Sequence, residues 1–277
     1  MPIARRYRRL VPETTTPHGG ALLRQWRQRR RRSQLDLALD TGISARHLSF
    51  VETGRSRPSR GLLLALAEQL EVPLRERNAL MLAAGYAPVY AETDLDSAES
   101  QQAREAIERL LAGHEPYPAV VLDRWGDVVL SNRAVGPLLE GVDPELLAPP
   151  VNTYRLSLHP KGMISRIRNA EEWTAHLGHR LTRLARLTGD ARLAELLDEI
   201  RSYPGVAEVL DDYHEPTTNE LLLTLQLDHP AGELRLISTV TSFGSAHDVT
   251  LSELTVESFF PADDATRQRL QDVSTSN

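Results

Sequence analysis

The sequence has 277 residues, of which 41% are hydrophobic and 25% are charged, as in globular proteins that bury a core. It contains no cysteine, which excludes disulfides, thiolate zinc sites, iron–sulfur clusters and cysteine nucleophiles. No apolar run reaches the roughly 18 residues that cross a membrane, and the arginine-rich start, with Arg5 and Arg6, lacks the apolar segment of a signal peptide. We therefore expect a cytoplasmic protein without a membrane partner.

The net charge of −6 is unevenly distributed along the chain. Residues 1–60 contain 14 arginines, no lysine and four acidic residues, so this part carries +10 and the remainder −16. Arginine neutralises phosphates and releases their counterions. A basic head on an acidic body is therefore typical of a nucleic-acid-binding domain joined to a domain that does not bind nucleic acid.

Composition and periodicity divide the chain into five segments. They predict a flexible basic arm at 1–20, a helical domain at 21–85, an acidic connector at 86–102, a second domain of helices and strands at 103–264 and a polar tail at 265–277.

The most informative pattern is a helix-turn-helix that begins at Ser33. Ser33 caps a first helix, Gly42 supplies a left-handed turn, and Ser44 caps a second helix. In this second helix Leu48 and Val51 are three residues apart and point towards the core.

The opposite face of the second helix then carries Ala45, Arg46, Ser49 and Phe50. This combination is a poor solvated surface but suits the major groove. Arginine can donate to guanine O6 and N7, and a phenyl edge can contact the methyl group of thymine. We expect Arg46 to be the main base-reading residue.

Phosphate contacts are expected around this face. Arg55 and Arg57 follow the second helix and would lie over the sugar-phosphate backbone, while Gln34 and the Ser44 amide stand at helix N-termini, which attract phosphate.

At these residues the sequence resembles the lambda-repressor-like, XRE-type helix-turn-helix regulators. The match runs from Trp26 to about Leu82 and includes Gln34, Ala38, Gly42, Ile43, Ser44, Glu52, Gly54, Pro58 and the helix that holds Leu63, Leu66, Ala67 and Leu70. The resemblance implies a five-helix domain that binds a double-stranded DNA operator.

By position, the resemblance assigns phosphates to Gln34 and Ser44. The implied base-reading positions are Ala45, Arg46, Ser49 and Phe50, with His47 between them. Ala45 and Phe50 stand where many relatives have glutamine or another polar residue, so the operator sequence does not follow from the resemblance.

After the connector the hydrophobic period changes from helical to alternating. A short helix is predicted at 104–111, a hairpin from apolar segments at 119–123 and 128–132, and a helix at 133–139. Glycine at position 126 suits the positive φ of the hairpin turn.

The remainder predicts two helices and then three strands. Trp173 and Leu177 begin an apolar stripe that makes 171–187 amphipathic, and a second helix follows, capped by Asp190. Strands are predicted at 221–227, at 233–243 and from about 248 to 257, as an antiparallel meander.

This part of the sequence resembles the ligand-binding domain of MmyB-like regulators, a PAS-type antiparallel sheet with helices. The matching stretches are Pro118–Ala134, Asn152–Leu156, the Trp173 helix, Asp248–Leu254 and Phe259–Asp263. The resemblance implies a cavity for a small, largely apolar effector such as a fatty acid. The apolar residues expected to line it are Leu130, Leu156, Trp173, Leu177, Leu236, Val240 and Phe243.

An enzymatic function is not expected. The sequence has no glycine-rich phosphate loop, nucleophile elbow or zinc-protease helix. His176 and His179 share a helix face but are interpreted as packing residues, so we expect no cofactor and no metal.

The fold class expected is an α domain followed by an α/β domain: a five-helix lambda-repressor-like head and a PAS-like antiparallel sheet with helices. The function expected is sequence-specific transcription regulation by a homodimer that senses a small apolar ligand. The alternative is a regulator whose second domain binds a protein or peptide in an exposed apolar groove.

Overall fold

The computed structural model describes residues 18–212, 222–244 and 246–276. The chain divides into two compact units, residues 1–91 and residues 92–277, which are described separately.

The described part of the first unit contains five helices. They are α1 (Gly19–Arg29), α2 (Gln34–Asp40), α3 (Ala45–Glu52), α4 (Arg60–Gln69) and α5 (Leu74–Ala83). Side chains cap the first four, because His18, Ser33, Ser44 and Ser59 each accept an N–H from the first turn that follows. The five-helix expectation is confirmed.

These helices pack around one apolar core. Leu23, Leu37, Leu48 and Leu66 are all fully buried in it. The helices α1 and α3 approach closely at Gly20, where a Cβ atom would lie 1.9 Å from the Val51 carbonyl oxygen. The position of α3 therefore depends on glycine in α1.

The ends of this unit differ from the sequence prediction. The segment 1–17 of the predicted arm lies outside the described residues, whereas Gly19 and Gly20 are helical and buried. The predicted connector is divided between the units. Tyr86 donates through its hydroxyl to a carbonyl of the first unit, and Leu95 is buried in the second. The prediction overlooked these two side chains in a mostly polar segment.

The second unit contains seven α-helices among its described residues. They are α6 (Gln101–Gly113), α7 (Thr153–Leu158), α8 (Ala170–Thr188), α9 (Ala191–Arg201), α10 (Val206–Asp211), α11 (Val249–Glu253) and α12 (Asp264–Ser276). Short 3-10 helices lie at Ala98–Ser100, Arg133–Leu139, Pro144–Leu147 and Ile164–Arg166.

A five-stranded antiparallel sheet organises this unit. Its strands are β1 (Ala119–Leu122), β2 (Val128–Ser131), β3 (Thr224–Leu227), β4 (Leu234–Ser242) and β5 (Thr255–Pro261), in the spatial order β2-β1-β5-β4-β3. The central pair is β1 with β5, in which Val121 lies opposite Val256. The fold class of helical head and antiparallel sheet with helices is confirmed.

The two sides of the sheet bury different clusters. One cluster holds Leu225, Leu234 and Leu236 of the sheet together with α7, α8 and α9. The other holds Val121 and Val256 of the sheet together with α6. Val256 and Phe259 of β5 face opposite clusters because side chains alternate along a strand and these two are three residues apart.

Three predicted elements of this unit are different in the structure. The expected strand at 248–257 begins at 255, because Asp248 accepts the N–H of Leu251 and caps helix α11. Residues 133–139 form a 3-10 helix, with Pro137 inside it. The segment predicted as a polar tail is helix α12, held by the buried side chain of Leu270. Residue 221, where a strand was predicted to start, lies outside the described residues.

None of the helices in the described part of the chain combines the length and apolar character needed to cross a membrane.

Candidate DNA-reading face and ligand-binding domain

The turn between α2 and α3 has the geometry that the sequence predicts. Gly42 adopts a φ of +69°, and the Ser44 hydroxyl accepts the N–H of His47 at 3.1 Å. Leu48 and Val51 of α3 are buried, with 0% and 1% of their surface exposed. These contacts determine which side of α3 is turned outward.

The outward side of α3 is dominated by Arg46 and Phe50. Arg46 is exposed, and its guanidinium carbon lies 5.4 Å from the centre of the Phe50 ring. The Arg55 guanidinium lies 6.0 Å from the same ring. Cation–π contacts of this kind limit the freedom of both arginines and place them side by side.

The other residues predicted to read bases are less exposed than Arg46. Ser49 and His47 are half-buried, and Ala45 is half-buried against the core of the head. Ala45 was expected to face out. At the first position of α3 its methyl group instead packs on the core.

The buried face of α3 carries a carboxylate, that of Glu52, to which the sequence analysis gave no role. The Glu52 side chain has no exposed surface and accepts from Arg27 Nε at 2.6 Å and Arg27 Nη2 at 2.9 Å. The burial of Glu52 is predictable from helical spacing, because Glu52 follows the buried Leu48 by four residues and so lies on the same face of α3. An acid at such a position requires donors from the protein.

Gln34 supplies the third donor to this carboxylate. Its Nε2 lies 2.8 Å from Glu52 Oε2. Gln34 was predicted to hold a phosphate, and in the structure one of its two amide N–H groups is used inside the head. The same bond holds the side chain in one orientation at the start of α2.

Arg57 contacts the segment that follows α5. Its Nη2 donates to the Gly85 carbonyl at 3.2 Å, and its guanidinium stacks on Tyr86 at 4.9 Å. The side chain remains exposed. Its guanidinium is therefore held by two contacts within the head, whereas the guanidiniums of Arg46 and Arg55 stack on Phe50.

The seven residues expected to line one ligand cavity are not together. Leu156, Trp173, Leu177 and Leu236 are buried in the cluster on the α8 side of the sheet. The other three lie elsewhere. Leu130 and Phe243 pack in the opposite cluster, and Val240 lies at the surface with 49% of its area exposed. The expectation failed because strand alternation separates Leu130, opposite Val121, from the other face.

The α8 side also contains polar groups that the sequence analysis did not single out. Arg180 of α8 pairs with the buried Glu257 of β5, with Nη1 and Oε2 3.4 Å apart. The indole N–H of Trp173 is buried and has no hydrogen-bond partner within the described segments. The interior on the α8 side is therefore mainly apolar, with an ion pair and one indole N–H among its polar groups.

Comparison with known protein families identifies both units. A model of the MmyB-like transcription regulator ligand binding domain matches residues 103–272, which is more than half of the chain. The chain belongs to the MmyB-like transcription regulators. A helix-turn-helix family model matches residues 23–77. The chain is thus a DNA-binding transcription regulator with a ligand-binding domain.

More distant comparisons add little to this assignment. No curated protein matches the chain. A solved structure described as an RNA-binding light-oxygen-voltage receptor aligns with 12% identity and a TM-score of 0.27, covering 92% of this chain. The chain spans 63% of the length of that structure.

The ligand-binding domain of this MmyB-like regulator has a polar cleft of about 310 Å³ beside Trp125. Arg155 donates to both carboxylate oxygens of Glu199, at 2.7 and 2.6 Å, and the Tyr203 hydroxyl donates to the same carboxylate at 2.6 Å. The bond from Arg155 lowers the pKa of Glu199, whereas burial raises the pKa of Tyr203.

The opposite wall of this cleft is also occupied by paired charges. Arg192 stacks on the Trp125 ring at 4.3 Å and pairs with the buried carboxylate of Asp127. Asn152 donates to the second oxygen of Asp127 at 2.7 Å. These pairs join α7 and α9 to the hairpin of β1 and β2. The charged groups of the cleft therefore hold the domain together.

Proposed function

We propose that this regulator recognises its operator through the outward face of α3, with Arg46 as the principal base-reading residue. The observation that carries the proposal is the exposed Arg46 guanidinium, stacked on Phe50 and opposite the buried side of the helix. An exposed arginine on this face can reach guanine O6 and N7 in the major groove. The edge of Phe50 is then adjacent and suits a thymine methyl group.

Phosphate contacts surround this reading face in the proposal. The N–H groups at the start of α3, next to Ser44, attract phosphate, and Arg55 supplies positive charge beside Phe50. Gln34 retains a second amide N–H for a phosphate, since Glu52 uses only one. Arg57 contributes charge at the edge of the contact.

Selection of bound sequences from a random DNA pool tests this proposal. The wild-type protein should enrich one motif that contains guanine, and R46A should lose the preference at that base while it still retains DNA. Enrichment of no motif, or of the same motif by R46A, would contradict the reading role of Arg46.

We infer further that the second domain binds a small, largely apolar effector and that binding changes operator affinity. The match of residues 103–272 to a ligand-binding domain supports a small-molecule effector, and the apolar interior on the α8 side of the sheet favours an apolar one. A long fatty acyl chain would require movement of Trp173 and Leu177, which are packed on their neighbours. Native mass spectrometry of the purified protein, followed by operator titration with any retained molecule, tests the coupling. Unchanged operator affinity at saturation would exclude it.

A homodimer is part of the same proposal. One helix-turn-helix head contacts few base pairs, whereas two heads related by a two-fold axis bind half-sites about one helical turn, roughly 34–36 Å, apart. The selected motif should therefore be a near-palindrome, and native mass spectrometry should give twice the chain mass.

We propose that the chain has no enzymatic activity. In the polar cleft the carboxylate of Glu199 is held ionised by Arg155, which lowers its pKa, so it is poorly suited to act as an acid or a base at neutral pH. Both matched families are regulatory domains.

A further inference from the structure

A second, apolar pocket lies where the C-terminal helix meets the sheet. It has a volume of about 120 Å³. Its walls include Ala134 and Leu138 of the 3-10 helix, Leu234 of β4, and Leu270 and Ser274 of α12. None of these residues belongs to the set that the sequence predicted to line a ligand cavity.

His229 adds one polar group to this pocket. Its Nδ1 accepts the backbone N–H of Ala231 at 3.1 Å, so the neutral ring carries its hydrogen on Nε2. That Nε2 is buried and has no partner among the described residues. Buried donors without a partner are rare in folded proteins, which makes this atom a candidate for contact with a ligand.

The rim of the pocket carries no net charge. Arg133 donates through Nη2 to Glu115 at 2.8 Å, and this bond lowers the pKa of Glu115, so the two side chains neutralise each other. A carboxylate ligand would meet Glu115 as well as Arg133. The rim therefore favours an uncharged molecule.

We propose that this pocket binds a small uncharged molecule with an apolar ring or short chain and one hydrogen-bond acceptor, which accepts from His229 Nε2. An enclosed apolar cavity of about 150 Å³ is known to hold benzene. This pocket is smaller but open at its rim, so it suits the acceptor end of a single-ring molecule, with part of the ring at the mouth. The inference rests on the proposed effector-binding role of the domain, and it replaces a long acyl chain by a smaller ligand.

The proposal is tested with acetophenone, ethylbenzene and benzoate, titrated into the full-length protein by calorimetry. Acetophenone should bind with a dissociation constant of about 1 mM or tighter, a value expected for so few atoms. Ethylbenzene, which has no acceptor, and benzoate, which is charged, should both bind at least about threefold more weakly. Equal affinity for acetophenone and ethylbenzene would overturn the role of His229.

Two variants locate the binding. H229N retains an acceptor for the Ala231 N–H and removes the deep donor, so acetophenone binding should weaken about three- to tenfold while ethylbenzene binding is unchanged. H159N is the matched control, because His159 makes the same local bond to the N–H of Lys161 at 3.1 Å and lies outside the pocket.

A134F should fill the pocket and abolish binding of both neutral probes, while A194F, at an exposed position of α9, should not change it. If A134F does not fold, S274F at the rim replaces it. Binding by the filled variant at wild-type strength would overturn the proposal. Operator binding is measured separately. If the wild-type protein without any probe does not bind the operator, the proposed function is contradicted, whereas operator binding by a wild-type protein that binds neither neutral probe contradicts this inference alone.

Discussion

Removal of the Arg27 guanidinium should lower the free energy of unfolding of the head by more than removal of an exposed charge would. In R27M the Glu52 carboxylate, with no exposed surface, would keep the bond from Gln34 and lose both bonds from Arg27, which are its other hydrogen bonds among the described residues. Breaking one partner from a buried ion pair costs about 3–5 kcal/mol because the remaining charge stays uncompensated. Small domains are stable by roughly 5–15 kcal/mol, so the loss is a large fraction of the total.

The double variant R27M/E52L separates this cause from lost packing. Replacement of a buried ion pair by apolar side chains is often neutral, so the double variant should lie within about 1 kcal/mol of the wild type. Hydrogen exchange of amides in α1 and α3 of the full-length protein measures the opening free energy of the head alone. R24M, at an exposed position of α1, is the control.

Two results would refute the reasoning. One is that the amides of α1 and α3 are as well protected from exchange in R27M as they are in R24M. The other is a double variant no more stable than R27M, which would mean that the packing of the Arg27 side chain, and not the stranded charge, stabilises the head.

R46A should cost about 1–3 kcal/mol on the selected operator and little on random DNA, whereas R55A should weaken both alike and reduce the salt dependence of binding; fluorescence anisotropy at several salt concentrations distinguishes them. G20A should strongly lower the melting temperature, since its Cβ would lie 1.9 Å from a carbonyl oxygen, whereas G61A, with open space around its Cβ, should raise stability by up to about 1 kcal/mol. The lowered pKa of Glu199 stabilises the fold above the ordinary value of 4.5, and this contribution is lost as the pH falls through the folded value. E199Q should therefore flatten the acid limb of the melting-temperature profile, an effect below about 1 kcal/mol because the carboxylate is 37% exposed.

The sequence predicted the head better than the second domain because its signals are local. Caps at Ser33 and Ser44 and the positive φ at Gly42 depend on neighbours within a few residues. The engagement of Gln34 was not predictable in this way, because its partner Glu52 is 18 residues away. Its place at a helix N-terminus and in the motif predicted a phosphate contact, and the fold adds a hydrogen bond from one of its amide N–H groups to Glu52.

In the second domain, the alternation of apolar and polar residues identified the strands but not which strands pair in the sheet. The hairpin of β1 and β2 and the meander of β3 to β5 were expected, yet the pairing of β1 with β5 was not. That pairing decides which face each side chain serves, and so it removed Leu130 and Phe243 from the predicted cavity. The apolar pocket was missed for a related reason, since its walls come from segments far apart in sequence.

The pairing of β1 with β5 also has a consequence for biosynthesis. Residue 119 leaves the ribosome about 140 residues before residue 258, its partner across the sheet, which is roughly 7–30 s at ordinary rates of elongation. The head, whose core is complete by residue 81, can form during that interval. A chain that stops between these points would carry a finished helix-turn-helix beside unpaired strand edges, which favour aggregation. Premature stop codons between residues 122 and 255 should therefore give insoluble protein, even though every residue of the reading face has been made.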